Sequence, residues 1–131
     1  MNSLLSRIEP AAYAAFRIVT GFLFLFHGLQ KFGFVGGSAG DLFSLRGAAA
    51  IIESIGGSLI MGGLLTVPTA FIASGEMAVA YFMSHQPRGG WPIENGGELA
   101  ALYCFAFLFI ASRGPGLLSL DGQLTRRRRQ R

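Results

Sequence analysis

The chain has 131 residues, of which 51% are hydrophobic and only 14% charged, with Gly 19 and Phe 12. Soluble chains carry about 25% charged residues, so a water-facing surface is hard to cover, and the aromatic content excludes a disordered chain. The net charge of +4 does not mark a nucleic-acid binder, because Arg126, Arg127, Arg128, Arg129 and Arg131 crowd the C-terminus, and the single Cys104 excludes a disulfide framework and a Cys-rich metal site.

In chain order, residues 11–32 (AAYAAFRIVTGFLFLFHGLQKF) predict a first membrane helix, followed by the glycine-rich stretch GFVGGSAGDLFSLR. Arg17 splits the apolar run and no small-residue cleavage site follows Phe26 directly, so this segment reads as a retained span and not as a signal peptide. Residues 47–84 are almost continuously apolar. As one helix they would reach about 57 Å at 1.5 Å per residue, nearly twice a hydrocarbon core of about 30 Å. A turn at Thr66-Val67-Pro68 is expected, since proline suits the first turn of a helix and disfavours α-conformation before it. Helices are therefore expected at about 47–66 and 68–84. The segment HQPRGGWPIEN reads as a loop in which Trp91 suits a membrane–water interface. A fourth helix is expected at about 96–112, ended by Arg113-Gly114-Pro115-Gly116.

The expectation is thus an all-α, membrane-embedded four-helix bundle over residues 1–122, with a basic tail at 123–131. Four crossings put both termini on one side, together with Arg7, Arg113 and the arginine tail, against Lys31, Arg46 and Arg88 on the other. The positive-inside rule makes the terminal side cytoplasmic, and the tail is suited to anionic lipid. The implied location is the bacterial cytoplasmic (inner) membrane, with several passes.

Charged side chains within spans are costly, at least about 2.5–3.5 kcal/mol on insertion scales, so they face a bundle interior and find partners. Arg17, His27 and Lys31 share one face of helix one at three- and four-residue spacing. Glu53, Glu76 and Glu98 lie in helices two, three and four. His27, Lys31, Glu53 and Glu98 are expected to converge in the outer half, with Glu76 and Arg17 below them. His27, Glu53, Glu76 and Glu98 are the candidates for proton transfer or binding, and Arg17 and Lys31 for binding an anion. The bland alternative is that these charges only fix helix register. The glycines Gly56, Gly57, Gly62, Gly63, Gly96 and Gly97 read as helix-packing positions. The spacing of His27 and His85 recommends neither metal nor haem, and no metal site is expected.

The ordered set Arg17-x-x-x-Gly21, His27-Gly28-x-x-Lys31, Glu53-x-x-Gly56-Gly57, Gly62-Gly63-Leu64-Leu65-Thr66, Glu76-Met77, Asn95-Gly96-Gly97-Glu98 and Gly114-Pro115-Gly116-x-x-Ser119-x-Asp121 resembles the DoxX family of small bacterial membrane proteins. The resemblance spans roughly residues 11–122 and leaves the arginine tail outside. It implies a four-helix membrane bundle and, in some members, a link to respiratory or thiol redox chemistry. Those members are subunits of thiosulfate:quinone oxidoreductase, or membrane partners of superoxide and thiosulfate-sulfur enzymes in mycobacteria.

Three functions follow as expectations. The first is an oxidoreductase-associated subunit that holds a quinone among the buried ionisable groups, with electrons supplied by a soluble or membrane redox partner protein. The second is a non-catalytic scaffold docking redox enzymes through its tail. The third is a small proton-coupled transporter carrying its proton on Glu76, for which so short a chain would form a homo-oligomer.

Overall fold

The computed structural model describes residues 2–131. Helix α1 runs over Asn2–Lys31 and passes through Pro10. Helix α2 follows over Leu45–Gly62, its first turn capped by the Ser44 hydroxyl, which accepts from Gly47 N–H. Helix α3 covers Thr66–Ala80 and continues without a break into a π-helical turn, Tyr81–His85. After a 3-10 turn at Gln86–Arg88 come the single turn α4 (Pro92–Asn95), helix α5 (Glu98–Arg113) and helix α6 (Leu120–Arg129). No strand occurs among the described residues.

Several boundaries differ from those read off the sequence, each for a local reason. Helix α1 starts nine residues before position 11, and its extra turns are tied to the far end of the chain. Glu9 pairs there with Arg113, and the Tyr13 hydroxyl donates to Gly114 O at 2.5 Å. The α2–α3 turn falls at Gly63–Leu65 and not at Thr66-Val67-Pro68. Gly63 sits at φ 66°, and Leu64 N–H reaches back to Leu59 O at 2.9 Å, closing α2 with a glycine-dependent left-handed cap. Pro68 then lies in the first turn of α3, where its missing N–H costs nothing. The segment expected to be a basic tail from residue 123 is largely helical, because Ser119 caps α6 by accepting from Gly122 N–H.

Helices α1 and α2 make the most extensive contact, followed by α3 with α5, while α2 and α3 touch much less. The α1–α2 seam is a backbone approach. A Cβ at Gly21 would lie 2.5 Å from Met61 N, one at Gly57 2.4 Å from Leu25 N, and one at Gly28 2.5 Å from Ser54 N. Small residues permit this approach where helices associate without a hydrophobic drive. Of the glycines read as packing positions, Gly57 sits in this seam, whereas a Cβ on Gly56 or Gly62 would meet only ordinary contacts. The core between the pairs is aromatic: Phe24 meets Phe107 edge-on at 4.5 Å and Tyr103 at a tilt at 5.6 Å, with Ile60, Ala73, Met77 and Ile110 around them.

The buried face of α5 is not the one that carries Glu98, the residue expected to face the bundle interior. Ala100, Tyr103, Phe107 and Ile110 are buried, and Leu102 and Phe105 are 68% and 69% exposed. Glu98 misleads because it lies in the first turn, where a helix N-terminus stabilises a carboxylate facing outward. Phe22, Phe26, Phe71, Phe82 and Phe109 are also exposed, giving the molecule an apolar outer surface. Among the described residues, two helical segments, Leu5–Lys31 and Leu45–Gly62, are long and apolar enough to cross a membrane.

Candidate functional site

Two polar centres lie along α1, one at its midpoint and one at its C-terminal end. Arg17 and Lys31 are fourteen residues apart in that helix, about 21 Å at 1.5 Å per residue.

At the first, Arg17 is completely buried. Its Nη1 donates to Ile60 O at 2.6 Å and Met61 O at 2.8 Å, both in the last turn of α2, whose carbonyl end favours a cation. Its Nη2 donates to Leu117 O at 3.1 Å and Leu118 O at 2.9 Å. The guanidinium therefore fastens the chain following α5 to the end of α2. Asp121 completes this junction. One carboxylate oxygen accepts from Leu65 N–H and the other from the N–H and hydroxyl of Thr66, all at 2.9 Å. Burial acts to raise the Asp121 pKa, but these hydrogen bonds and the nearby Arg17 outweigh it and hold the carboxyl below its usual range.

At the second centre, Lys31 Nζ lies 2.5 Å from Glu53 Oε1. Glu53 is only 2% exposed, and its Oε2 is buried without a hydrogen-bond partner. The pair lines a cavity of about 370 Å³ together with His27, His85, Phe24, Met77 and Tyr103. Tyr103 meets the His27 ring edge-on at 5.8 Å. The π-helical turn carries Ser84 and His85 to the rim, a common use of a widened turn. His85 Nδ1 lies 3.2 Å from Asn95 O, and buried Asn95 organises the adjoining loop by donating to Gly89 O at 3.0 Å and accepting from Gly97 N–H at 2.8 Å.

Of the residues expected to converge, His27, Lys31 and Glu53 do so. Glu76 lies on the other side of Lys31, in a second cavity of about 690 Å³ between α2 and α3, with its own Oε2 buried and unpartnered. Glu98 is exposed and lines neither cavity. Arg17 is at the middle of α1, bonded to carbonyl oxygens. Tyr103, Asn95 and Asp121 escaped the sequence reading as site or junction residues. A tyrosine inside an apolar run carries a hydroxyl needing a partner, and that was the available signal for Tyr103.

Residues 12–86, more than half of the chain, match the DoxX family model. The chain belongs to the DoxX family. This DoxX chain is 41% identical over 133 residues to an uncharacterized protein of Haemophilus influenzae, covering 94% of the chain and 97% of that relative. It is 26% identical over 143 residues to an uncharacterized membrane protein of Mycobacterium tuberculosis, covering 95% and 88% respectively. No solved structure matches it. The matched DoxX region contains Arg17, His27, Lys31, Glu53 and Glu76. Tyr103, Asp121 and the exposed Glu98 lie beyond it.

Proposed function

We propose that this DoxX protein is a multi-pass protein of the bacterial cytoplasmic membrane that binds a quinone as the subunit or partner of a membrane-associated oxidoreductase. Four crossings, by α1, α2, the continuous Thr66–His85 segment and α5, account for the phenylalanine-rich outer surface. The name of the mycobacterial relative as a membrane protein supports the same placement. The arginines at the C-terminal end of α6 favour cytoplasmic termini.

The observation that carries the quinone reading is Glu53. A carboxylate this buried, with one oxygen on Lys31 and the other without a partner, is costly unless something else uses it. The cavity suits a flat, mostly apolar ring bearing two carbonyls: Phe24, Met77 and Tyr103 form apolar walls, and Lys31, His27 and Glu53 supply a donor, a titratable imidazole and an acid. Its volume falls in the usual range for ligand pockets, about 300–1,000 Å³. A bound quinone accepts two electrons from a partner reductase together with two protons. Lys31 stabilises negative charge gathering at a ligand oxygen, an effect strengthened away from water. Glu53 and His27 hold and pass protons at Oε2 and the imidazole nitrogens.

The test is binding of a benzoquinone and a naphthoquinone to the purified chain. Glu53→Gln and His27→Ala should each weaken it about tenfold or more, or 1.4 kcal/mol. Absence of binding, or binding indifferent to both substitutions, removes the proposal. A second reading, a scaffold for redox enzymes, draws on the exposed run Arg126–Arg129 of α6. Deleting residues 123–131 should then abolish recovery of partners.

A further inference from the structure

Gly75 is difficult to explain by packing. It lies in the interior of α3 at an ordinary helical φ, and a Cβ built on it meets nothing within 4 Å. Glycine there costs the helix about 1 kcal/mol relative to alanine. At Gly21, Gly28 and Gly57, by contrast, the missing side chain lets two backbones meet. What Gly75 borders is the larger cavity, the cleft that opens where α2 and α3 part.

Ile52, Ile72, Val79 and Met83 form the apolar side of that cleft, and Gln30, Lys31, Arg46 and Glu76 its polar side. It is continuous with the polar cavity in one respect: Lys31, Ala80 and Ser84 line both. The Lys31–Glu53 pair therefore stands at the partition between the smaller chamber and a larger cleft that opens between two helices. Lys31 is the more exposed half of that partition, with its side chain 29% exposed against 2% for Glu53.

From this we infer that the ligand enters sideways between α2 and α3 and is a long-tailed amphiphile. Its ring occupies the chamber at Glu53, and its alkyl or isoprenoid tail lies in the cleft over the bare backbone of Gly75. The inference rests on the quinone reading and narrows it: a water-soluble, tailless ring uses only half of the site. Ile72 is 57% exposed and borders the same cleft, so its side chain meets the tail.

The experiment compares two benzoquinones that differ only by a ten-carbon tail, bound to the full chain in detergent and followed by calorimetry. Gly75→Phe fills the cleft from a position with free space around its Cβ, and Ile72→Trp fills it from a second position. Gly75→Ala is the folding control. The wild-type chain should prefer the tailed compound by about tenfold or more, since every buried methylene contributes. Both filling variants should erase that preference while leaving affinity for the tailless ring within about twofold. Because micelle partitioning is the same for every variant, the change between variants reads the cleft alone. A tail preference unaltered by both filling variants overturns the inference while leaving the ring site standing, and so does an equal loss for both compounds. If neither compound binds the wild-type chain, the quinone reading falls first and the inference with it.

Discussion

The middle and the C-terminal end of α1 show what separates a buried charge that builds a fold from one that builds a site. Arg17 is saturated at both guanidinium NH2 groups by four carbonyl oxygens from the end of α2 and the segment after α5. Its positive charge is balanced by the helix end and by neighbouring Asp121, and it lines neither of the two cavities described above. Lys31 and Glu53 form an ion pair as well, yet Glu53 keeps an oxygen without a partner and opens on a chamber with two histidines. Both centres carry a buried charge at helical spacing and each leaves one buried polar atom without a partner, Arg17 Nε and Glu53 Oε2; what distinguishes them is that Glu53, unlike Arg17, borders a chamber.

The contrast can be broken at either end. The largest effect is expected at Arg17. Replacing it with methionine orphans four carbonyls and removes a charged donor, and should destabilise the folded chain by roughly 3–4 kcal/mol, given about 1.5–3 kcal/mol per charge-assisted hydrogen bond and strong non-additivity. Arg17→Lys keeps the charge but not the fork and should recover only part of that loss. Thermal unfolding in detergent measures both. Glu53→Gln should do the reverse, weakening ring binding about tenfold while changing unfolding by no more than about 1 kcal/mol, because the amide is nearly the same shape.

Asp121 sharpens the account of the junction through pH. Its carboxyl is held below the usual range in the folded chain, so the stability it adds is fully present above the ordinary carboxylate pKa and fades as pH falls through the depressed folded value. Asp121→Asn should therefore lower stability at neutral pH by about 1 kcal/mol, in line with other helix caps. The gap between variant and wild type should close in strong acid. A gap independent of pH would mean that the carboxylate charge is irrelevant to the cap. The smallest effect is expected at Glu98. It is exposed in the first turn of α5, so Glu98→Gln should leave ring affinity unaltered and cost at most about 0.5 kcal/mol through the helix dipole.

Much of this architecture was legible in the residues, and the misses have physical causes. The faces of α1 and α2 follow from three- and four-residue spacing because buried Arg17, Phe24, Glu53 and Ile60 leave a periodic trace. The α5 face did not, since Glu98 at a helix start obeys local electrostatics and not the bundle interior. Pairing is invisible to periodicity: nothing in the spacing says that Arg17 reaches carbonyls 43 and 101 positions away instead of a glutamate. The Lys31–Glu53 pair could be anticipated because a lysine closing one helix and a glutamate early in the next lie near one level across a hairpin. Glu76 could not be assigned to either cavity without the divergence of α2 from α3.

The measurement that bears most directly on the central claim is native mass spectrometry of the chain extracted in mild detergent from its own membranes. Wild type and Arg17→Lys should retain an isoprenoid quinone in the folded fraction, and Glu53→Gln should lose it. Retention that is equal in all three, or a folded wild-type chain with no quinone attached, would contradict the division of α1 into a structural midpoint and a binding end.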